Sequence, residues 1–157
     1  LGSHIRRTNP RDGMQTGPTD SLLVADRHRM LRRGRAYGPP LAPSFDPDDI
    51  LAAPDDGQER GLHFICFGTD IVRQFEFVQG TWVSNGKFDG LYADPDPVIA
   101  RHCDPQQARY PEQVSSFTEP RCPVRHRERA LERFVTMRGG AYFFMPGLAA
   151  LRYLASL

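Results

Sequence analysis

The sequence predicts a single α+β domain in which helices pack on one face of an antiparallel sheet. Three features predict it: two strand-like stretches early in the chain, an amphipathic helix after the second, and a Gly-Gly dipeptide between two later apolar runs. The 157 residues are enough for one hydrophobic core. We therefore treat 1–157 as one domain, with irregular insertions at about 38–60 and 86–132.

The first half of the chain supplies two strands and a helix. Turn dipeptides predict a loop over 12–26, followed by a strand at about 28–37. Residues 61–67 are almost continuously apolar, which predicts a strand buried on both faces. Thr69 is a suitable N-cap for a helix that runs to about Asn85. Apolar residues at helical spacing predict the buried face of this helix: Ile71, Val72, Phe75, Val78 and Trp82.

The second half is less regular until it nears the carboxyl end. Prolines interrupt 86–132, and the charged stretch 125–133 is compatible with a short surface helix. Apolar runs on either side of Gly139-Gly140 predict a hairpin, because glycine adopts the left-handed torsions of a tight turn. Pro146-Gly147 opens a closing helix, and its leucines predict one apolar face: Leu148, Leu151 and Leu154.

Composition argues against several classes of protein. The net charge is +1, from 20 basic and 19 acidic residues, so a general nucleic-acid-binding field is not expected. We find neither an apolar run long enough to span a bilayer nor an N-terminal targeting pattern. Three irregularly spaced cysteines favour a reducing compartment, by default the cytoplasm. Because the chain opens at Leu1, we expect a fragment, which leaves export open.

The residues with the most chemical character lie near the amino end. His4 is followed by Arg6, Arg7 and Arg11, on a segment that Pro10 must break, and more arginines follow in 27–38. An imidazole can ligate iron, and neighbouring permanent cations can bind carboxylates. This combination suits an anionic metal cofactor, and haem with its two propionates is the obvious candidate.

Several stretches together resemble the carboxy-terminal half of the dye-decolourising (DyP-type) haem peroxidases. The sharpest are His-Ile-Arg-Arg-Thr-Asn-Pro-Arg at 4–11 and His-Arg-Met-Leu-Arg-Arg-Gly at 28–34, and the likeness continues through 61–67, 70–77 and 138–147. The resemblance implies two ferredoxin-like α+β halves, the second of which holds haem b. It also implies that hydrogen peroxide is reduced and that phenolic or dye-like donors are oxidised. The N-terminal half or another subunit is then an expected partner.

The resemblance assigns roles to individual residues. His4 matches the proximal histidine that ligates iron, and Arg32 matches the distal arginine over the peroxide site. Arg6 and Arg11 are candidates for the propionates, by charge and proximity. The family's distal aspartate lies in a Gly-x-x-Asp-Gly motif before the proximal histidine; 86–90 fits that pattern but follows His4, so we interpret it as a turn. An acidic partner for the proximal imidazole is not identifiable from the sequence.

Three other functions are compatible with parts of the sequence. A truncated peroxidase could bind haem or a partner subunit without turnover, and its uncovered sheet would favour homo-oligomers. A zinc site could use His102, Cys103, Cys122 and His126, but it lacks the usual C-x-x-C pair. Arginine-driven RNA binding is disfavoured by the balanced charge.

Overall fold

A computed structural model describes residues 2–100 and 116–157 and confirms the α+β class. The middle of the chain holds two π-helical segments, Val72–Glu76 and Val78–Val83, which together we call the core helix, and then a short 3₁₀ turn at Phe88–Gly90. In the described ranges, no helix has both the length and the apolar character that crossing a bilayer requires. The other elements follow in the order α1 His4–Thr8, α2 Pro18–Arg27, β1 Leu31–Tyr37, α3 Pro47–Ala52, β2 Gly61–Phe67, β3 Ser116–Glu119, β4 His126–Arg129 and α4 Leu148–Leu154.

The two early strands form as predicted and pair with each other in antiparallel fashion. Their register runs from Leu31 opposite Phe67 to Tyr37 opposite Gly61. The first strand begins at Leu31 and not at 28, because the N–H groups of His28 and Arg29 donate to carbonyls in the last turn of α2. Burial of the second strand on both faces is a wrong prediction: Leu62 is 62% exposed, because the described part of the chain covers little of this strand pair.

The core helix occupies the predicted position with unusual hydrogen bonding. Glu76 N–H donates to the Ile71 carbonyl at 2.9 Å, an i→i+5 bond of the π type. The side chain that caps the first turn is that of Asp70, whose Oδ1 accepts the Arg73 N–H at 2.9 Å, and not that of Thr69 as predicted.

Only the carboxyl end of the core helix is buried. Val72 is 68% exposed, whereas Val83 is fully buried. Only the last turns of the helix therefore bury the predicted apolar stripe in the core. The small core consists of Val78, Trp82, Val83, Phe88, Leu91 and Ala100. This cluster is the base against which α1 packs.

The predicted loop over 12–26 is wrong, since it contains α2. Pro18 stands in the first turn of this helix, where its missing N–H costs nothing. Ser21 and Ala25, four residues apart, form the buried side of the helix. The insertion at 38–60 is irregular as expected, apart from the short helix α3.

The carboxyl end differs from the sequence prediction in two places. The charged stretch 125–133 contains strand β4, which pairs with β3, and not a helix. The hairpin around Gly139-Gly140 does not form, and Phe143 and Phe144 are 86% and 90% exposed. A two-stranded hairpin is marginal unless a neighbouring surface buries one of its faces. The closing helix α4 forms as predicted, but its leucines are exposed.

Because the core helix is buried at one end only, we expect truncations at its two ends to change the free energy of unfolding by different amounts. Val83→Ala should lower the free energy of unfolding by about 2 kcal/mol, because it removes two buried methyl groups and leaves a cavity. The matched change Val72→Ala, at an exposed position in the same helix, should cost less than about 0.5 kcal/mol. Urea unfolding of the two variants measures the difference, and equal losses would contradict this description of the core.

Candidate active site

Helix α1 places His4 against the core. The Ser3 carbonyl accepts the N–H groups of Arg6 and Arg7 at 3.0 and 2.9 Å, which starts the helix. The Thr8 hydroxyl donates to the His4 carbonyl at 2.9 Å. The helix ends at Thr8, before Pro10, as the sequence predicts. Packing of α1 on Val78–Val83 then fixes where the imidazole lies.

The imidazole of His4 is held by a buried carboxylate. Nδ1 of His4 lies 2.9 Å from Oδ2 of Asp96, which is completely buried, whereas the His4 side chain is 36% exposed. With the imidazole neutral, the geometry has Nδ1–H donate to the carboxylate, which leaves the Nε2 lone pair on the opposite side of the ring. This pair is the acidic partner of the imidazole that the sequence did not identify.

Asp96 is well placed to stay ionised. Burial favours its protonated form, but hydrogen bonds from His4 and from the backbone N–H groups of Ile99 and Val98 hold the pKa of Asp96 below its ordinary value. Those two N–H groups lie 3.0 and 2.9 Å from Oδ1. The Asp96 N–H in turn donates to the Val83 carbonyl at 2.9 Å, which ties the carboxylate to the core helix.

An open apolar groove of about 600 Å³ lies beside His4. Ile5, Val98, Phe117 and Phe134 supply apolar lining. Glu119 of β3 and Glu128 of β4 also line the groove. The groove thus joins one imidazole to a wide apolar surface, an arrangement that suits a flat, largely hydrophobic ligand.

Of the two arginines predicted to bind propionates, Arg6 lies within α1 and Arg11 lies after its end. Arg6 lies in the same turn of α1 as His4, and its Nη1 is buried with no hydrogen-bond partner among the described residues. Nη1 forms an ion pair with Oδ1 of Asp12 at 3.8 Å, which is too long for a hydrogen bond. Arg11 follows α1 in the left-handed conformation, with φ of 55°, and is exposed.

Arg32, the predicted distal arginine, lies on β1. It is exposed and pairs with Cys66 of β2. The described residues that line the groove include His4 but not Arg32. The structure therefore brings His4 and Asp96 together, and the distal role of Arg32 stays a prediction.

The structure also bears on two weaker sequence patterns, the Gly-x-x-Asp-Gly motif at 86–90 and the candidate zinc ligands. Asp89, in the Gly-x-x-Asp-Gly pattern at 86–90, has φ of 47° and accepts the Gln15 N–H at 2.8 Å, which agrees with the turn interpretation. For the zinc alternative, His102 and Cys103 lie outside the described residues. Nε2 of His126 lies 2.8 Å from Oε1 of Glu128. Within 2–100 and 116–157, no group of three or more His, Cys, Asp or Glu side chains is arranged to hold a metal ion.

Sequence reasoning missed the residues that support His4. It treated Asp94-Pro95-Asp96-Pro97 as loop punctuation, although both aspartates are buried. Asp94 accepts hydrogen bonds from the Ser116 and Thr118 hydroxyls. The available signal was two carboxylates closely flanked by prolines and apolar residues, but 92 positions separate Asp96 from His4.

Known proteins resemble this chain in both sequence and fold. No family model matches it. The multifunctional dye peroxidase DyP2 of Amycolatopsis sp. is 35% identical over 97% of the chain. The dye-decolorizing peroxidases msp1 of Mycetinis scorodonius and AauDyP1 of Auricularia auricula-judae are 30% and 29% identical over 100% and 96% of the chain. The chain spans about 30% of the length of these relatives: 31%, 30% and 28%, respectively.

Solved structures agree with the sequence relatives. The structure of DyP2 from Amycolatopsis sp. matches 96% of the chain with a TM-score of 0.66 and 34% identity, and the chain covers 31% of it. A DyP-type peroxidase from Anabaena sp. matches 81% of the chain with a TM-score of 0.53 and 25% identity, and the chain covers 23% of it. The resemblance found in the sequence is confirmed: nearly the whole chain is similar in sequence and fold to part of the length of DyP-type peroxidases.

Proposed function

We propose that this chain carries the haem-ligating site of a peroxidase that reduces hydrogen peroxide and oxidises phenolic or dye-like one-electron donors. The observation that carries the proposal is the hydrogen bond between His4 and the buried carboxylate of Asp96, beside an apolar groove. Relatives named dye peroxidases support the same reaction, although the chain spans only part of their length.

The residues present fit haem b. The groove is apolar and about 600 Å³ in volume, which suits the porphyrin faces. The Nε2 atom of His4 is the nitrogen left for iron. The buried Nη1 of Arg6 has no hydrogen-bond partner among the described residues, and a propionate would supply one. For Arg11, the second propionate candidate, only its charge and its proximity to His4 in the sequence support the assignment.

Each protein group has a distinct part in the proposed reaction. When bound, haem iron supplies the redox chemistry with peroxide. Asp96 keeps the proton of His4 on Nδ1 and so keeps Nε2 available as a ligand. The guanidinium of Arg32 stabilises the negative charge that develops on peroxide oxygen as the O–O bond breaks. Two one-electron aromatic donors would supply the two electrons that the reduction of hydrogen peroxide to water consumes.

A haemin titration of the purified chain tests this proposal. We expect a sharp Soret band that saturates at one haemin per chain, and peroxide-dependent oxidation of a phenolic dye by the loaded protein. A Soret band identical to that of free haemin at every ratio would rule out the proposed site.

A second candidate function is haem or subunit binding without turnover. The β1–β2 pair and the carboxyl end expose large apolar side chains, among them Leu62, Phe64, Phe143 and Phe144. Such surfaces are typical of regions that another polypeptide covers, either a further part of a peroxidase or a second copy of this chain. A Soret band without dye oxidation would favour this candidate.

A further inference from the structure

Arg7 is the most thoroughly bound side chain near His4. It is fully buried, and its Cζ lies 5.3 Å from the centroid of the Phe88 ring. Its guanidinium donates four hydrogen bonds to backbone carbonyls: to Gly2 at 3.1 Å, to Trp82 at 2.7 Å, to Asn85 at 2.9 Å, and to Asp94.

These four carbonyls belong to the segments that build the site. Gly2 stands two residues before α1, which carries His4. Trp82 lies in the last turn of the core helix, where the carbonyls lack partners within the helix, and Asn85 follows two residues after the helix ends. Asp94 opens the loop that presents Asp96. Arg7 therefore joins the segment of the imidazole to the segment of its carboxylate partner.

Only an arginine can make this set of contacts. A guanidinium has five N–H donors in a planar fork, whereas a lysine ammonium has three donors on a single atom. Burying a cation is costly unless it is paired or well hydrogen-bonded. Burial lowers the pKa of Arg7, and the nearby carboxylates of Asp96 and Asp94 oppose that shift. The two anions and four carbonyls together account for a charged side chain at this depth.

We infer that Arg7 is a positioning residue: its buried guanidinium holds α1 and the 94–97 loop in the register that makes the hydrogen bond between His4 and Asp96. That bond sets which imidazole nitrogen carries the proton and which faces a ligand. The inference rests on the proposed function in one respect, since it is there that Nε2 is the iron ligand.

The tautomer of His4, read without haem, is the main test. In the ¹⁵N-labelled protein, long-range proton–nitrogen spectra should show neutral His4 protonated on Nδ1. In folded Arg7→Met, which keeps side-chain length but removes all donors, we expect the Nε2-protonated form to become the major tautomer. Arg7→Lys should fall between the two. Arg152→Met, at an exposed position on α4, is the matched control and should leave His4 unchanged.

Haemin affinity is the second readout. Loss of a group that orients a metal-ligating histidine typically costs about 10- to 100-fold in affinity, and we expect Arg7→Met to lie in that range. Haemin binding through His4 with an unchanged tautomer in Arg7→Met would overturn the inference alone. If the tautomer changes in Arg7→Met but the wild-type protein does not bind haemin, the proposed function fails and the inference stands. If far-UV circular dichroism shows both Arg7 variants unfolded, Arg7 serves stability and the inference fails.

Discussion

His4→Ala is expected to lower the haemin affinity of the chain by more than about 100-fold, beyond the usual effect of disturbing an outer partner of a metal ligand. The substitution removes the nitrogen that would bond to iron and leaves the Asp96 carboxylate buried without its imidazole partner. Titration with haemin, followed by the Soret band, measures the loss. Circular dichroism of the same samples shows whether the variant is folded, since an unpaired buried carboxylate is itself destabilising.

A second histidine provides the control for that experiment. His63 lies on β2, is exposed, and contacts the ring of Tyr37 with 4.8 Å between centroids. His63→Ala should therefore bind haemin as the wild type does. Free imidazole added to His4→Gly should restore part of the Soret band by filling the space of the missing ring. An undiminished band in His4→Ala would show that another residue ligates the iron.

Arg32→Leu is expected to slow peroxide-dependent dye oxidation by about 10²- to 10³-fold, the usual effect of removing one group that stabilises developing negative charge. The haemin spectrum should stay close to that of the wild type, because the substitution leaves the proposed iron ligand, His4, in place. Steady-state rates at saturating peroxide, with the loaded proteins matched by Soret absorbance, give the ratio.

The neighbouring arginine on the same strand is the matched control. Successive side chains of a strand point to opposite faces, so Arg33 faces away from Arg32. Arg33→Leu removes the same charge from the same strand and should retain most of the dye oxidation. If the two variants lose activity equally, the effect reflects the net positive charge of β1 and not a distal role for Arg32.

Local sequence patterns predicted the elements whose cause is local. The positions of β1, β2 and the core helix follow from apolar runs and helical spacing, and Pro10 ends α1 where its ring must. The wrong predictions concern elements whose formation depends on the rest of the structure. The runs around Gly139-Gly140 have hairpin chemistry, but a hairpin also needs a face to pack against, and the described residues supply none. Pro18 contributed to the wrong prediction of a loop, because proline suits both a loop and the first turn of a helix.

The sequence by itself determined the α+β class and the likeness to DyP-type peroxidases, and it supplied the prediction that His4 is the ligand, because each depends on short stretches of the chain. Only the tertiary structure identified Asp96 as the partner of His4 and Arg7 as a buried cation among carbonyls. The physical reason is distance along the chain. A carboxylate 92 positions away becomes a partner only when packing removes both groups from water, and no local pattern records that event.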